Sequence, residues 1–412
     1  MSTNTRAAEA VVVGGGAAGM MAALIAARRG RAVTLVEHQR FCGRKLRITG
    51  KGRCNLCNNC DLNSFFQHVS GNPRFLYGAL HRFTPADTMA FFEDLGVPLK
   101  TERGGRVFPV SDRAHDVANA LESALRRAGV RLRFTEALRV SAEAGAVRGL
   151  ETGEGFLPAG SVLLATGGAS YPGTGSTGDG YRMAAELGHS LSPLRPSLVP
   201  LESDDPDCAR LQGFSLKNVR LTAFDARERA VYTELGEMLF THFGVSGPLV
   251  LSASSRLRDW SGGPCRLSVD LKPGLDPEQL DQRILRDFEK FRNRDFRNAL
   301  DELAGRSMIP VLIRRSGIPE ETKVHSVTRA QRQSLVRLFK DFSISVTGPR
   351  PIAEAIVTAG GVRVGEIDPR TMESKLVRGL YFAGEILDTD AFTGGYNLQI
   401  AWSTGHLAGE QL

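Results

Sequence analysis

An α/β fold built around a parallel sheet is predicted by three stretches in which a buried apolar run passes straight into glycines. They are Val11-Val12-Val13-Gly14-Gly15-Gly16-Ala17-Ala18-Gly19, Ser161-Val162-Leu163-Leu164-Ala165-Thr166-Gly167-Gly168 and Gly379-Leu380-Tyr381-Phe382-Ala383-Gly384-Glu385. The first is the most informative. In Gly14-x-Gly16-x-x-Gly19 one glycine permits the tight turn, the next a close pyrophosphate, and the last close helix–strand packing. Met20 to Arg29 continues as an Ala/Leu-rich helix and Ala32 to Val36 as a second strand, with Glu37 at its end, 23 positions after Gly14. An acidic side chain there accepts hydrogen bonds from ribose hydroxyls, while the helix N-terminus takes the pyrophosphate. The stretch therefore predicts a dinucleotide site.

Ala10 to Ala27 carries no charge, yet it reads as neither a membrane span nor a signal peptide. Three consecutive glycines and its alanines make it weakly apolar, and Arg28 and Arg29 follow it rather than precede it. The chain has 412 residues, 42% hydrophobic and 24% charged, the composition of a multi-domain globular protein. Its net charge of +7 is spread without a Lys/Arg run, so no nucleic-acid partner is expected. Such a surface nonetheless favours anionic ligands. Six cysteines and no secretory pattern predict free thiols in a reducing, cytoplasmic compartment and no membrane association.

Phe41 to Asn58, dense in Gly, Arg and Lys, should be a loop that lays amides and cations along a dinucleotide. Within it, Cys54-x-x-Cys57-x-x-Cys60 leaves three readings open: metal ligands, a redox dithiol, or inert thiols. A metal site lacks its fourth ligand, so no metal is assigned. Helical spacing marks Pro85 to Leu95 and Asp116 to Ala128, and a hairpin is expected over 101–109. Val130 to Phe134 and Ala137 to Val140 read as strands, Gly145 to Leu157 as a further hairpin, and Tyr181 to Leu187 as a helix. Pro193, Pro196 and Pro200 mark a domain boundary, after which Leu216 to Leu271 reads as a β-rich unit that includes Pro248 to Ser255. Leu280 to Leu303, Ile309 to Arg315 and Thr328 to Phe339 carry helical apolar spacing among many charges, which predicts a small helical module with solvated faces. The expected divisions are 1–192, 193–274, 275–332, 333–348 and 349–412, the outer two forming one domain. At the C-terminus, Gly394-Gly395-Tyr396-Asn397 opens an apolar helix whose first amides could stabilise negative charge on a redox ring.

Together these motifs resemble one family, the BaiN-like flavoproteins, also labelled aminoacetone oxidase family FAD-binding enzymes or NAD(P)/FAD-dependent oxidoreductases. The resemblance covers nearly the whole chain. Besides the three glycine stretches it is carried by Gly43-Arg44-Lys45-Leu46, Gly52-Arg53-Cys54-Asn55, Gly105 to Pro109, Ser170-Tyr171-Pro172, Thr174 to Gly180, Thr241 to Pro248 and Gly394 to Asn397. It implies a Rossmann-type, two-dinucleotide-binding-domain FAD fold assembled from both chain ends, with an inserted β-rich domain and a small helical module. It further implies pyrophosphate contacts at Gly14, Gly16, Ala17, Ala18 and Gly19, and ribose contact at Glu37 with His38 beside it. Arg44, Lys45, Gly52 and Asn55 would follow the cofactor to the ring. Leu138 would give a backbone contact to adenine, Thr166 and Gly167 would close that end, and Gly384, Glu385, Asn397 and Leu398 would flank the ribityl chain and isoalloxazine. The sequence departs from the family pattern at Cys57 and Cys60.

The expected function is an FAD-dependent oxidoreductase that moves a hydride between flavin and a small organic substrate. NAD(P)H is a candidate electron donor, although Gly173-x-Gly175-x-x-Gly178 is not a second dinucleotide corner, because its preceding strand ends at Ala165. No catalytic acid or base is assigned. Tyr171, Arg103 and His242 stand in motif loops but are equally accounted for as structural. The rival readings are a thiol reductase of the pyridine-nucleotide-disulfide type using Cys54 and Cys57, a flavin-dependent RNA-modifying or RNA-binding protein, and a non-catalytic flavin carrier.

Overall fold

The computed structural model describes residues 9–412, which divide into two compact units, one of residues up to Ser197 together with Pro351–Leu412, the other Leu198–Arg350. In the first unit the chain opens with β1 (Ala10–Val13), α1 (Ala17–Arg28) and β2 (Val33–Val36). Further on come β3 (Arg131–Arg133), β4 (Ser161–Leu164), β5 (Leu380–Phe382) and α2 (Tyr396–Gln411). The five strands form one parallel sheet in the order β5-β4-β1-β2-β3. In register, Val11 pairs with both Val162 and Thr34, and Leu163 with Tyr381. Every residue of β1, β2 and β4 is buried, the pattern of strands covered on both faces. Their apolar runs are continuous for that reason. Because parallel strands all point one way, the glycine turns after β1, β4 and β5 emerge at one end of the sheet, where α/β folds bind ligands.

Three smaller antiparallel sheets complete this unit. Cys57–Asn58 pairs with Arg106–Pro109, which pairs with Leu99–Glu102. Ala137–Glu143, Ala146–Thr152 and Gly155–Pro158 form a meander, and Leu191–Ser197 pairs with Val357–Val362.

The second unit is a seven-stranded antiparallel sheet joined by helices at Pro248–Ser254, Pro277–Lys290, Ile309–Ser316 and Arg329–Lys340. Three features differ from the sequence reading. Pro248–Ser254, placed in the β-rich run, is a helix with Pro248 in its first turn, where a missing N–H costs nothing. The helix expected over 280–303 ends at Lys290. The division expected at 332/333 falls inside the helix Arg329–Lys340. The strand Phe342–Val346 follows that helix directly and pairs with Cys265–Asp270, so the helices and the sheet share one unit. Asp207, its side chain nearly buried, binds them further by accepting from Arg315 Nε at 2.7 Å and from Arg210 at 3.1 Å.

Candidate functional site

The turn after β1 has the geometry that its glycines imply. Gly14 lies at φ +104°, and a Cβ there would come 2.5 Å from the Ala165 carbonyl oxygen. At Gly19 a Cβ would overlap the Gly14 carbonyl, so only glycine lets α1 start this close to the strand. Gly16 faces open space, and no side chain caps α1. The first-turn amides at Ala17 and Ala18 thus keep the orphan donors of a helix start, with its positive end. Glu37 turns back to this corner: Oε2 accepts from Gly15 N at 2.7 Å and Oε1 from Gln39 N at 2.7 Å. His38 Nδ1 is 3.8 Å from Glu37 Oε1, and Gly175 of the Thr174–Gly180 loop lies against the imidazole.

Residues far apart in sequence meet at the ends of β4 and β5. A Cβ on Gly384 would lie 2.8 Å from the Ala18 methyl, so the turn after β5 abuts the start of α1. Glu385 accepts from Thr358 N at 2.8 Å, Ser170 Oγ at 3.1 Å and Lys45 Nζ at 2.9 Å. Lys45 also donates to Ser170 Oγ at 2.8 Å. Gly167 lies beside Ser176 and Glu385, whereas Thr166 Oγ1 is buried beside Gly180 with no partner among the described residues. An open cradle at Gly16 and an uncapped helix start are what a bound dinucleotide would complete.

The loop 41–58 is tied to the hairpin 99–109. Arg53 pairs with Glu102 and Asp112 and stacks over Phe108 at 4.1 Å. These hydrogen bonds hold the Glu102 and Asp112 carboxyls below their ordinary values, Lys100 contributing first at Asp112. The Asn55 amide, oriented to satisfy its neighbours, donates to the Cys57 and Val107 carbonyls and accepts from Gly395 N at 3.1 Å, which joins this loop to the start of α2. Gly52 stands on the same turn with open space around it, and Arg44, exposed, donates to Gln39. Leu398 is half-buried in the first turn of α2.

Two further residues of the expected site are placed as follows. The Asn397 side chain is turned onto the chain itself, donating to Ala391 O at 2.8 Å and accepting from Ala391 N at 2.9 Å. Leu138 stands at a bulge of Ala137–Glu143, 40% exposed, with its carbonyl accepting from Arg182 at 2.9 Å. Of the three loop residues left without a role, Tyr171 lies at φ +51° with its carbonyl pinned by Thr174 N and Oγ1. Arg103 is exposed at the hairpin turn, and His242 is exposed in the second unit. The sequence assigns no site role to Ser170, although it stands in the Ser170-Tyr171-Pro172 motif, nor to Thr358. A serine just after Gly167-Gly168 was the available signal for the first, whereas nothing local marked Thr358.

Cys54 and Cys57 are free thiols in the interior. Cys54 and Cys57 are fully buried, and burial pushes the Cys54 thiol up to about 12 and the Cys57 thiol higher still. A thiolate is the nucleophile in dithiol chemistry, and burial disfavours that form at both positions. Among the described residues no group of three or more His, Cys, Asp or Glu side chains is placed to hold a metal ion, and no helix is long and apolar enough to cross a membrane.

Residues 8–411 match the family described as HI0933-like protein Rossmann domain. The chain is 35% identical over 383 residues, 92% of its length and 91% of the relative's, to a 3-dehydro-bile acid delta(4,6)-reductase of Clostridium scindens. It is 31% identical over 394 residues, 94% of each chain, to a ribosomal RNA dihydrouridine synthase of Escherichia coli. Among solved structures, a 3-ketosteroid delta1-dehydrogenase from Sterolibacterium denitrificans shares the fold with a TM-score of 0.51 at 14% identity, over 98% of this chain and 99% of that one. With its glycine corner, its parallel sheet and this similarity along nearly its whole length, the chain belongs to the HI0933-like family of flavoproteins and is an FAD-dependent oxidoreductase.

Proposed function

We propose that the protein is a reductase that delivers a hydride to a carbon–carbon double bond conjugated with a carbonyl group in a small organic substrate, drawing electrons from NAD(P)H. The observation that carries this reading is the 35% identity, along nearly the full length of both chains, to a protein named as a bile-acid delta(4,6)-reductase. FAD, when bound, supplies the hydride chemistry. The chain's own residues bind and orient. In this reading the amides of Ala17 and Ala18 hold the pyrophosphate and Glu37 accepts from ribose hydroxyls. Glu385, held by Lys45, Ser170 and Thr358, accepts from the ribityl chain. First-turn amides of α2 at Asn397 and Leu398 set partial positive charge where reduction puts electrons. The six free thiols suit a cytoplasmic setting.

Anaerobic titration of the yellow protein with NADH and NADPH, followed by addition of cyclic enones, tests the proposal. Bleaching of the flavin band by a nicotinamide and its return on adding an enone is the expected result. A reduced protein that only oxygen can reoxidise would exclude it.

One observation favours a second reading. The Escherichia coli relative and one from Haemophilus influenzae, 29% identical over 386 residues, are both named ribosomal RNA dihydrouridine synthase. The uridine 5,6 bond is itself conjugated with a carbonyl, so the bond type is unchanged and only its carrier differs. The sequence pI near 9.2 suits a polyanion. Ribosomal RNA from cells lacking this protein would then lose a uridine two hydrogens heavier than normal. Unchanged RNA would leave the small-molecule reading.

A further inference from the structure

We propose that Lys45 is the counter-charge that lets the Glu385 carboxylate share its site with a diphosphate; this rests on the FAD reading of that site. Lys45 Nζ has three N–H donors, directed at Glu385 Oε2 (2.9 Å), Glu385 Oε1 (3.3 Å) and Ser170 Oγ (2.8 Å). Glu385 Oε1 is well supplied, taking Thr358 N at 2.8 Å and Ser170 Oγ at 3.1 Å as well. Among the described residues Oε2 accepts from Lys45 alone, and it lies beside Gly167, which leaves it acceptor capacity for a hydroxyl.

The position of Glu385 creates an electrostatic problem. Its neighbour Gly384 touches Ala18 at the start of α1, where the helix amides place a pyrophosphate. A carboxylate and a diphosphate that close lie well within a Debye length and repel. The two carboxylates at this end of the sheet are held differently. Each oxygen of Glu37 accepts a backbone N–H, whereas Glu385 has a lysine ammonium 2.9 Å away. Lys45 is thus a positioning residue. It fixes the rotamer of Glu385 through Ser170 and cancels the charge that would otherwise oppose the cofactor. The three residues come from three separate motifs.

The test is equilibrium FAD binding to the apoprotein, read by flavin fluorescence, for the wild type, K45M, E385Q and K45M/E385Q, each across a salt series. K45M should bind FAD about tenfold more weakly. Rising salt should tighten K45M binding by screening the repulsion, while wild-type binding stays level or weakens. The double variant should bind more tightly than K45M, because it removes the uncompensated charge. If Lys45 instead contacts phosphate directly, the double variant is no better than K45M and salt weakens both, and the proposal is overturned. Thermal midpoints of the apoproteins separate folding from affinity. Should K45M prove unstable, E385Q alone carries the test: with Lys45 uncompensated, its FAD affinity should fall more steeply with salt than that of the wild type, and equal slopes overturn the proposal. Wild-type protein that binds no FAD would overturn the FAD reading itself, a different outcome from a missing coupling.

Discussion

Gly405 of α2 lies against Ala18 of α1 so closely that a Cβ at 405 would overlap the Ala18 carbonyl oxygen, and one turn later a Cβ at Gly409 would come 2.5 Å from the Ala22 carbonyl. The last helix of the chain therefore rests on the backbone of the first. It holds the helix start proposed to receive the pyrophosphate, and it does so with small residues because nothing larger fits. Gly405→Val should force α2 away from α1 at a cost of about 1 to 3 kcal/mol or more. We expect a lower thermal midpoint and purification with substoichiometric flavin. A variant with wild-type flavin content and melting would show that the two helices can part without moving the site.

The thiols give a second expectation. Desolvation raises all three thiols, but Cys60 is half-exposed, whereas Cys54 and Cys57 are buried. In native protein a disulfide reagent should modify Cys60 before either buried thiol, and Cys54 and Cys57 should become reactive only on unfolding. Cys54→Ser with Cys57→Ser should retain turnover once any loss of folded protein is corrected for. Abolished turnover in a folded double variant would restore the dithiol reading.

The glycine corner of the candidate site was legible in sequence where the backbone demanded a residue type that nothing else could replace. Gly14 must reach φ +104° and Gly19 must let α1 approach β1, so both are visible as letters. Glu37 is visible because the strand ends there. What escaped was set by tertiary packing. Thr358 lies in a strand whose sequence shows nothing of its N–H and hydroxyl reaching Glu385 and Ala169. The Pro248–Ser254 helix escaped because Leu249, Val250 and Leu251 suit a strand as well as a short helix. Helical spacing persists past Lys290, where Phe296 is buried in a short 3-10 helix and Leu300 in irregular chain rather than in a continued α-helix. Nor does the sequence show that the Asn397 side chain, in a residue the resemblance places beside the flavin, fastens the loop before it.

A pH dependence follows from His189. Its ring is buried, with Nδ1 3.0 Å from Glu366 Oε2 and Nε2 2.8 Å from Ser374 Oγ. Burial holds its pKa below the usual value, against the opposing pull of Glu366. The unfolded chain then binds the proton more readily than the native one. Stability is present above the unfolded histidine value of about 6.5 and is lost as pH falls below it. Partial burial raises the pKa of Glu366, yet hydrogen bonds from Ser190 and His189 leave it lowered overall, so its share is lost only in more acid solution. Denaturant midpoints measured from neutral to mildly acid pH should fall for the wild type and fall less for His189→Gln. Equal slopes would mean that the imidazole is not the titrating group.

Asn397 separates fastening from simple capping. Its amide donates to Ala391 O at 2.8 Å and Phe392 O at 3.2 Å and accepts from Ala391 N at 2.9 Å, so it folds the preceding loop onto the first turn of α2. Asn397→Ala removes three hydrogen bonds and should cost about 1 to 3 kcal/mol. Asn397→Asp keeps the shape and the acceptor but turns a carboxylate on two carbonyls. At an ordinary helix start, aspartate is among the best residues and gains from the helix dipole. If the side chain served only the helix, Asp would be harmless and Ala harmful. Since it binds carbonyls, Asp should be at least as damaging as Ala, and it should loosen FAD further by adding negative charge beside the amides proposed to face the reduced ring. Thermal melting and flavin retention of the two variants side by side decide the matter, and an Asp variant that matches the wild type would reassign Asn397 to the helix.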